Sequence, residues 1–115
     1  MILSFATPKL QKAANDTVEL ERLRRRKNAP CTTHEIITAL NSLEAADSLS
    51  DLPPIPWHPH PLKGGKKGLF SVWVNKKTRI LFHPDHSDDT DFRIDNPKTI
   101  TRIVITELCV DYHGH

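Results

Sequence analysis

Three places in the chain carry residues able to do chemistry: His58-Pro59-His60-Pro61-Leu62-Lys63-Gly64, then Arg79, and finally Asp111-Tyr112-His113. Cleavage of RNA by its own 2′-hydroxyl needs a base for that hydroxyl, cations for the charge building on phosphorus, and an acid for the departing 5′-oxygen. Histidine changes charge near neutral pH, so His60 and His113 are candidates for base and acid in either order. Lys63 and Arg79 are candidates to stabilise the phosphorane, and arginine's planar fork suits phosphate geometry. Each also has a plainer reading. His60 among prolines reads as a surface loop residue, Lys63 before two glycines as a solvated turn, Arg79 as an exposed strand charge, and Asp111 to His113 as a strand end.

Charge is uneven along the chain. The formal net charge is only +2, but His60 to Arg79 holds Lys63, Lys66, Lys67, Lys76, Lys77 and Arg79 with no acidic residue, whereas residues 85–95 hold five aspartates. Lys66, Lys67, Lys76 and Lys77 are therefore candidates for phosphate contacts to RNA or the ribosome. The basic run Arg24 to Lys27 reads as a solvated helix end favoured by the macrodipole, with RNA contact as the other reading. A metal site is disfavoured. His58 with His60, and His83 with Asp85 and His86, match no closed zinc spacing, and the run from Asp88 to Asp95 lacks the glycine and terminal glutamate of a calcium loop. No cofactor is expected.

The elements that must position these residues can be read from patterning. Ile2 to Ala6 alternates as a short strand, and Thr7 followed by Pro8 starts a helix running to about Asn15. Val18, Leu20 and Leu23 continue an apolar pattern less regularly. Thr32 and Glu35 form a capping box ahead of Ile36, Ile37, Leu40, Leu43 and Ala46, which predicts a second helix. Between Asp51 and Pro61, Pro53, Pro54, Pro56, Pro59 and Pro61 exclude regular helix and any central strand, leaving an extended crossover. Phe70, Val72 and Val74 alternate with Ser71 and Trp73 as a strand. A turn at Asn75 to Thr78 then leads to a returning antiparallel strand, Arg79 to His83, with Ile80 and Phe82 on one side and Arg79 and Leu81 on the other. Pro84 to Lys98 reads as loop, with Phe92 to Ile94 a short strand extension, and Ile100 to Tyr112 as the last strand.

The order β-α-α-β-β-β predicts an α+β fold, residues 1–115 as a single domain, with N-terminal helices packed on one face of an antiparallel β-sheet and the other face free for a substrate. Hydrophobic residues make up 37% of the chain and charged residues 26%, which suits a thin core with much polar surface. There is no apolar run of about 18 residues and no secretory pattern, so a cytoplasmic protein without membrane contact is expected. Cys31 and Cys109 read as small buried hydrophobes rather than a disulfide.

The segments His60-Pro61-Leu62-Lys63-Gly64, Ser71-Val72-Trp73-Val74-Asn75, Arg79-Ile80-Leu81-Phe82 and Val110-Asp111-Tyr112-His113 occur in the order seen in HigB-type killer proteins. The chain resembles that branch of the RelE/ParE toxin superfamily of type II toxin-antitoxin systems. The resemblance implies a compact RelE-like fold and a metal-independent endoribonuclease that cuts mRNA in the ribosomal A site. It assigns active-site roles to His60, Lys63, Arg79, Asp111, Tyr112 and His113, with Tyr112 also able to stack on a base. It implies two partners, mRNA on the 70S ribosome and a HigA-like helix-turn-helix antitoxin. The chain departs from the family in its longer Asp-rich stretch from Asp85 to Asp95 and in Gly114-His115 after the usual final histidine. The alternatives are a non-catalytic nucleic-acid or protein binding module, or a gyrase-directed ParE-like toxin.

Overall fold

The computed structural model describes residues 1–62, 68–86 and 90–111. Strand β1 (Ile2–Phe5) leads into helix α1 (Pro8–Asn15), whose N-cap Thr7 accepts a hydrogen bond from Leu10 N–H at 3.2 Å. The less regular apolar pattern beyond it is a separate helix, α2 (Thr17–Arg26). Asp16 makes the break: its backbone is extended, it closes α1, and its carboxylate accepts from the N–H groups of Val18 and Glu19. The expected capping box opens α3 (Thr33–Ala45), with Glu35 N–H donating to Thr32 Oγ1 at 3.1 Å and Thr32 N–H donating to Glu35 Oε1 at 2.9 Å.

The proline-rich crossover contains no regular helix. Its single turn, α4 (Pro54–Trp57), is interrupted by an extended Ile55 and closed by His58 in the left-handed region at φ 45°. The chain then enters β2 (His60–Pro61), β3 (Phe70–Trp73), β4 (Thr78–Pro84) and β5 (Arg102–Asp111). The sheet order is β1-β5-β4-β3-β2. Pro61, which has no N–H to give, sits on an edge strand, where it costs no ladder bond to a second neighbour.

Pairing is antiparallel throughout the β2-β3-β4-β5 ladder, while β1 lies parallel to β5 with Leu3 beside Ile103 and Phe5 beside Ile105. Helices α1 to α4 and strands β2 to β4 lie between β1 and β5 in the chain, well beyond the dozen residues that a parallel pair requires. Two expectations shift. Phe92 to Ile94 is turn, not strand: the flanks of β5 near Ile103 are already taken by β4 and β1, and Arg93 N–H is held by Thr99 Oγ1 at 2.9 Å. The last strand begins at Arg102, because Pro97–Thr99 forms a short helical turn before it.

Leu10, Ala13, Leu20, Leu23, Ile36, Leu40 and Leu43 of α1 to α3 form one core cluster with Phe70, Val72, Ile80, Phe82, Ile103 and Ile105 of the sheet. The cross-strand pairs Phe70/Phe82 and Val72/Ile80 lie on this helix-covered face. Their sequence neighbours Ser71, Trp73, Arg79 and Leu81 consequently point to the second face. Cys31 and Cys109 are free, buried thiols. Burial pushes both upward in pKa, Cys109 to about 11. Among the described residues no helix is long and apolar enough to cross a membrane.

Candidate functional site

The hairpin that carries Arg79 is fixed at its tip. Asn75 Oδ1 accepts from the N–H groups of Lys77 (2.8 Å) and Thr78 (2.9 Å), and Asn75 Nδ2 donates to Pro30 O at 3.0 Å, tying the turn to the start of α3. Lys76 and Lys77 are exposed at this tip. Arg79 is not an exposed strand charge. It is 6% exposed, its Nη1 donates to the carbonyls of Asn75 (2.8 Å), Lys76 (3.1 Å) and Thr78 (3.2 Å), and its guanidinium carbon lies 4.4 Å from the centre of the Trp73 ring. The His58 ring stacks on the same indole at 3.9 Å. His58, Trp73 and Arg79 thus form a layered platform, with the left-handed backbone of His58 turning its ring onto Trp73.

One row further along the second face, His60 pairs with Ser71, and Ser71 pairs with Leu81. His60 is exposed, and its Nδ1 lies 2.9 Å from the His58 carbonyl. A carbonyl oxygen only accepts, so Nδ1 carries the hydrogen and the neutral ring keeps a lone pair on Nε2. That nitrogen lies 3.5 Å from the hydroxyl of Ser71, itself buried. The second face is not bare: Ser71, Arg79 and Leu81 are buried on it, and His60 is exposed at the β2 edge.

The structure places His60 and Arg79 on one face, with Ser71 and Trp73 between them. Strand spacing of about 4.8 Å and a rise of about 3.3 Å per residue put their backbones about 12 Å apart. Asp111 pairs with Thr78, not with Arg79, and by that pairing belongs to the helix-covered side at the end of β5. Lys63, Lys66, Lys67, Tyr112 and His113 lie outside the described residues. The basic run of residues 24–27 ends α2, as read from the sequence, and much of it is paired: Arg24 and Arg25 bond Glu21, and Lys27 Nζ bonds Glu107 at 2.8 Å.

Ser71 and Trp73 were not expected as site residues, and His58 only as part of the segment around His60. The alternation around Val72 and Val74 does place Ser71 and Trp73 away from the core, and the pairing with Arg79 turns that placement into a platform. Nothing local to His58 announces its left-handed backbone. Among the described residues no group of three or more His, Cys, Asp or Glu side chains gathers in ligand geometry.

Neither a protein-family model nor a curated protein sequence matches the chain. Among solved structures, the YoeB/ParE toxin from Agrobacterium tumefaciens matches 98% of this chain and 100% of its own, with 15% sequence identity and a TM-score of 0.50. The likeness is one of fold. It agrees with the α+β fold expected from the sequence, and it does not single out the HigB-type branch.

Proposed function

We propose that this protein is the toxin of a type II toxin-antitoxin system, a HigB-type endoribonuclease that cuts mRNA in the A site of the ribosome without a metal ion. The observation that carries the reading is His60: an exposed imidazole at the β2 edge whose Nδ1 is held by the His58 carbonyl, which leaves the Nε2 lone pair toward the Ser71 hydroxyl. The fold shared with a protein described as a toxin supports it.

In this reading His60 Nε2 takes the proton of a 2′-hydroxyl, whose oxygen attacks the adjacent phosphorus. The P–O5′ bond breaks, His113 protonates the departing 5′-oxygen, and the products are a 2′,3′-cyclic phosphate and a 5′-hydroxyl. No water or oxidant is consumed. Lys63 neutralises charge at the phosphorane, and Tyr112 stacks on a neighbouring base. Arg79 holds the hairpin tip so that Lys76 and Lys77 meet RNA phosphates, and Lys66 and Lys67 add to that contact. Asp111 orders the chain end that presents Tyr112 and His113. An antitoxin of HigA-like helix-turn-helix type neutralises the protein, which acts in the cytoplasm.

Purified protein added to mRNA-programmed 70S ribosomes tests this reading by whether A-site cuts form, and association with the ribosome should weaken steeply as salt is raised. A gyrase-directed toxin is the second reading. The commitment of Arg79 Nη1 to the hairpin carbonyls favours it, because that nitrogen then serves the fold rather than a phosphate. Inhibition of gyrase with no RNA cutting would select it.

A further inference from the structure

At the end of β4 lies a cleft of 430 Å³ lined by Leu69, His83, Pro84, His86, Phe92 and Ile94, together with Gly68. Its size falls within the range of small-ligand pockets, roughly 300–1,000 Å³. Its walls are built rather than incidental. His86 is 3% exposed, and its Nε2 accepts from the main-chain N–H groups of Thr101 (3.0 Å) and Arg102 (3.1 Å), which anchors the ring to the start of β5. Phe92 stacks on that anchored ring at 4.9 Å with 9° between the planes. Ile94 is 52% exposed beside it, a large apolar side chain left at the rim.

The cleft also has a polar reader. His83 Nδ1 lies 2.9 Å from the Pro84 carbonyl, so Nδ1 bears the hydrogen and Nε2 of the neutral ring is an acceptor. His83 lies two residues beyond Leu81 on β4, and Leu81 pairs with Ser71, the partner of His60. Two strand spacings across and two residues along place His83 about 12 Å from His60, or three to four stacked nucleotides at about 3.4 Å each.

We infer that this cleft is a nucleobase subsite: a base of the bound RNA lies flat against Phe92 and Ile94 and donates an edge N–H to His83 Nε2. A flat aromatic wall, an apolar rim and one acceptor match a base, which has a π-face and N–H donors, and match neither a ribose nor a phosphate. The inference deepens the RNase reading and takes its biological sense from it. Its test does not need cleavage.

The Ile94 methyl and His83 ring signals are followed by NMR at pH 8 while adenosine 5′-monophosphate is added to the full chain, with ribose 5-phosphate as the control without a base. The expected result is saturable shifts at both residues with the nucleotide and none with the sugar phosphate. Phe92→Ala should weaken binding about 5- to 100-fold, the range expected for one lost base-aromatic stack. Because Phe92 also supports its loop, Ile94→Ser at the exposed rim and His83→Phe, which keeps a ring but removes the acceptor, are measured as well, and both should weaken binding. Equal shifts with ribose 5-phosphate, no shift at Ile94 and His83, or unchanged binding in Ile94→Ser and His83→Phe would overturn the inference. If the wild type cuts mRNA yet shows no such shifts, the subsite falls and the RNase reading stands. If it binds the nucleotide but cuts nothing, the reverse holds.

Discussion

Arg79→Ala separates a structural arginine from a catalytic one. In the folded protein Nη1 serves three hairpin carbonyls, and the guanidinium lies on Trp73 with 6% of the residue exposed. Hydrogen bonds from a charged donor contribute about 1.5–3 kcal/mol, and because one nitrogen here is shared among three acceptors the low end applies. A largely desolvated cation over indole adds about 1–2 kcal/mol. The loss on truncation is therefore about 3 kcal/mol. At about 4 °C per kcal/mol for a chain of this size, the melting temperature should fall by about 12 °C. Arg79→Lys, which keeps charge but loses the fork and most of the stack, should fall about half as far. Thermal unfolding followed by circular dichroism measures both. Melting of Arg79→Ala within about 2 °C of wild type would refute the hairpin role and return Arg79 to the substrate.

Three further outcomes follow from the contacts. Glu21 is held at about 2, below its ordinary 4.5, first by the side-chain hydrogen bond from Arg24 and then by that from Thr33. A carboxylate lowered in the folded state contributes stability that is present above pH 4.5 and lost as pH falls from about 4.5 toward 2, so acid titrations of Glu21→Gln should lack that part of the wild-type decline. Removing the His86 ring leaves the Thr101 and Arg102 N–H groups without their acceptor, so His86→Ala should lose about 2–4 kcal/mol in urea unfolding and expose those two amides to faster hydrogen exchange. Cys109, raised to about 11 by burial, and Cys31, raised by the same cause, should both resist an aromatic disulfide reagent at pH 8 until the protein is unfolded.

Much of the architecture was legible in the sequence because its signals are local. Thr7-Pro8, the Thr32/Glu35 box and the alternation from Phe70 to Val74 each satisfy backbone groups or bury side chains within one element, and each formed where the pattern placed it. The division at Asp16 was legible in principle, since Asn15-Asp16-Thr17 offers a cap in the middle of an apolar pattern. The parallel placement of β1 was not, because it depends on where the intervening helices and strands return the chain. Nor was the slip in β5: pairing runs Phe82 with Ile105, Leu81 with Glu107 and Arg79 with Val110, and each irregularity adds a residue on β5, so that Asp111 comes opposite Thr78.

The candidate site divides in the same way. His60 could be picked out by residue type, and its chemistry became specific only when the His58 carbonyl fixed which nitrogen carries the lone pair. Arg79 could be placed on the correct face by alternation, but its burial depends on Trp73 and on the carbonyls of a turn that folds back over it. The Asp-rich stretch looked like a plain loop. It also carries His86 and Phe92, whose stacking builds the wall of the second cleft.

The central claim is metal-independent cutting of mRNA by side chains of this protein. Its most direct test is a translation assay with purified 70S ribosomes, in which wild type, His60→Gln and His113→Ala are compared and the chemistry of the cut ends is determined, with chelator raised to the level that ribosomes survive. The account predicts A-site cuts ending in a 2′,3′-cyclic phosphate, slowed about 100- to 10,000-fold in each variant while folding is kept. No cutting by well-folded wild type, or ends carrying a 3′-hydroxyl and a 5′-phosphate, would contradict it.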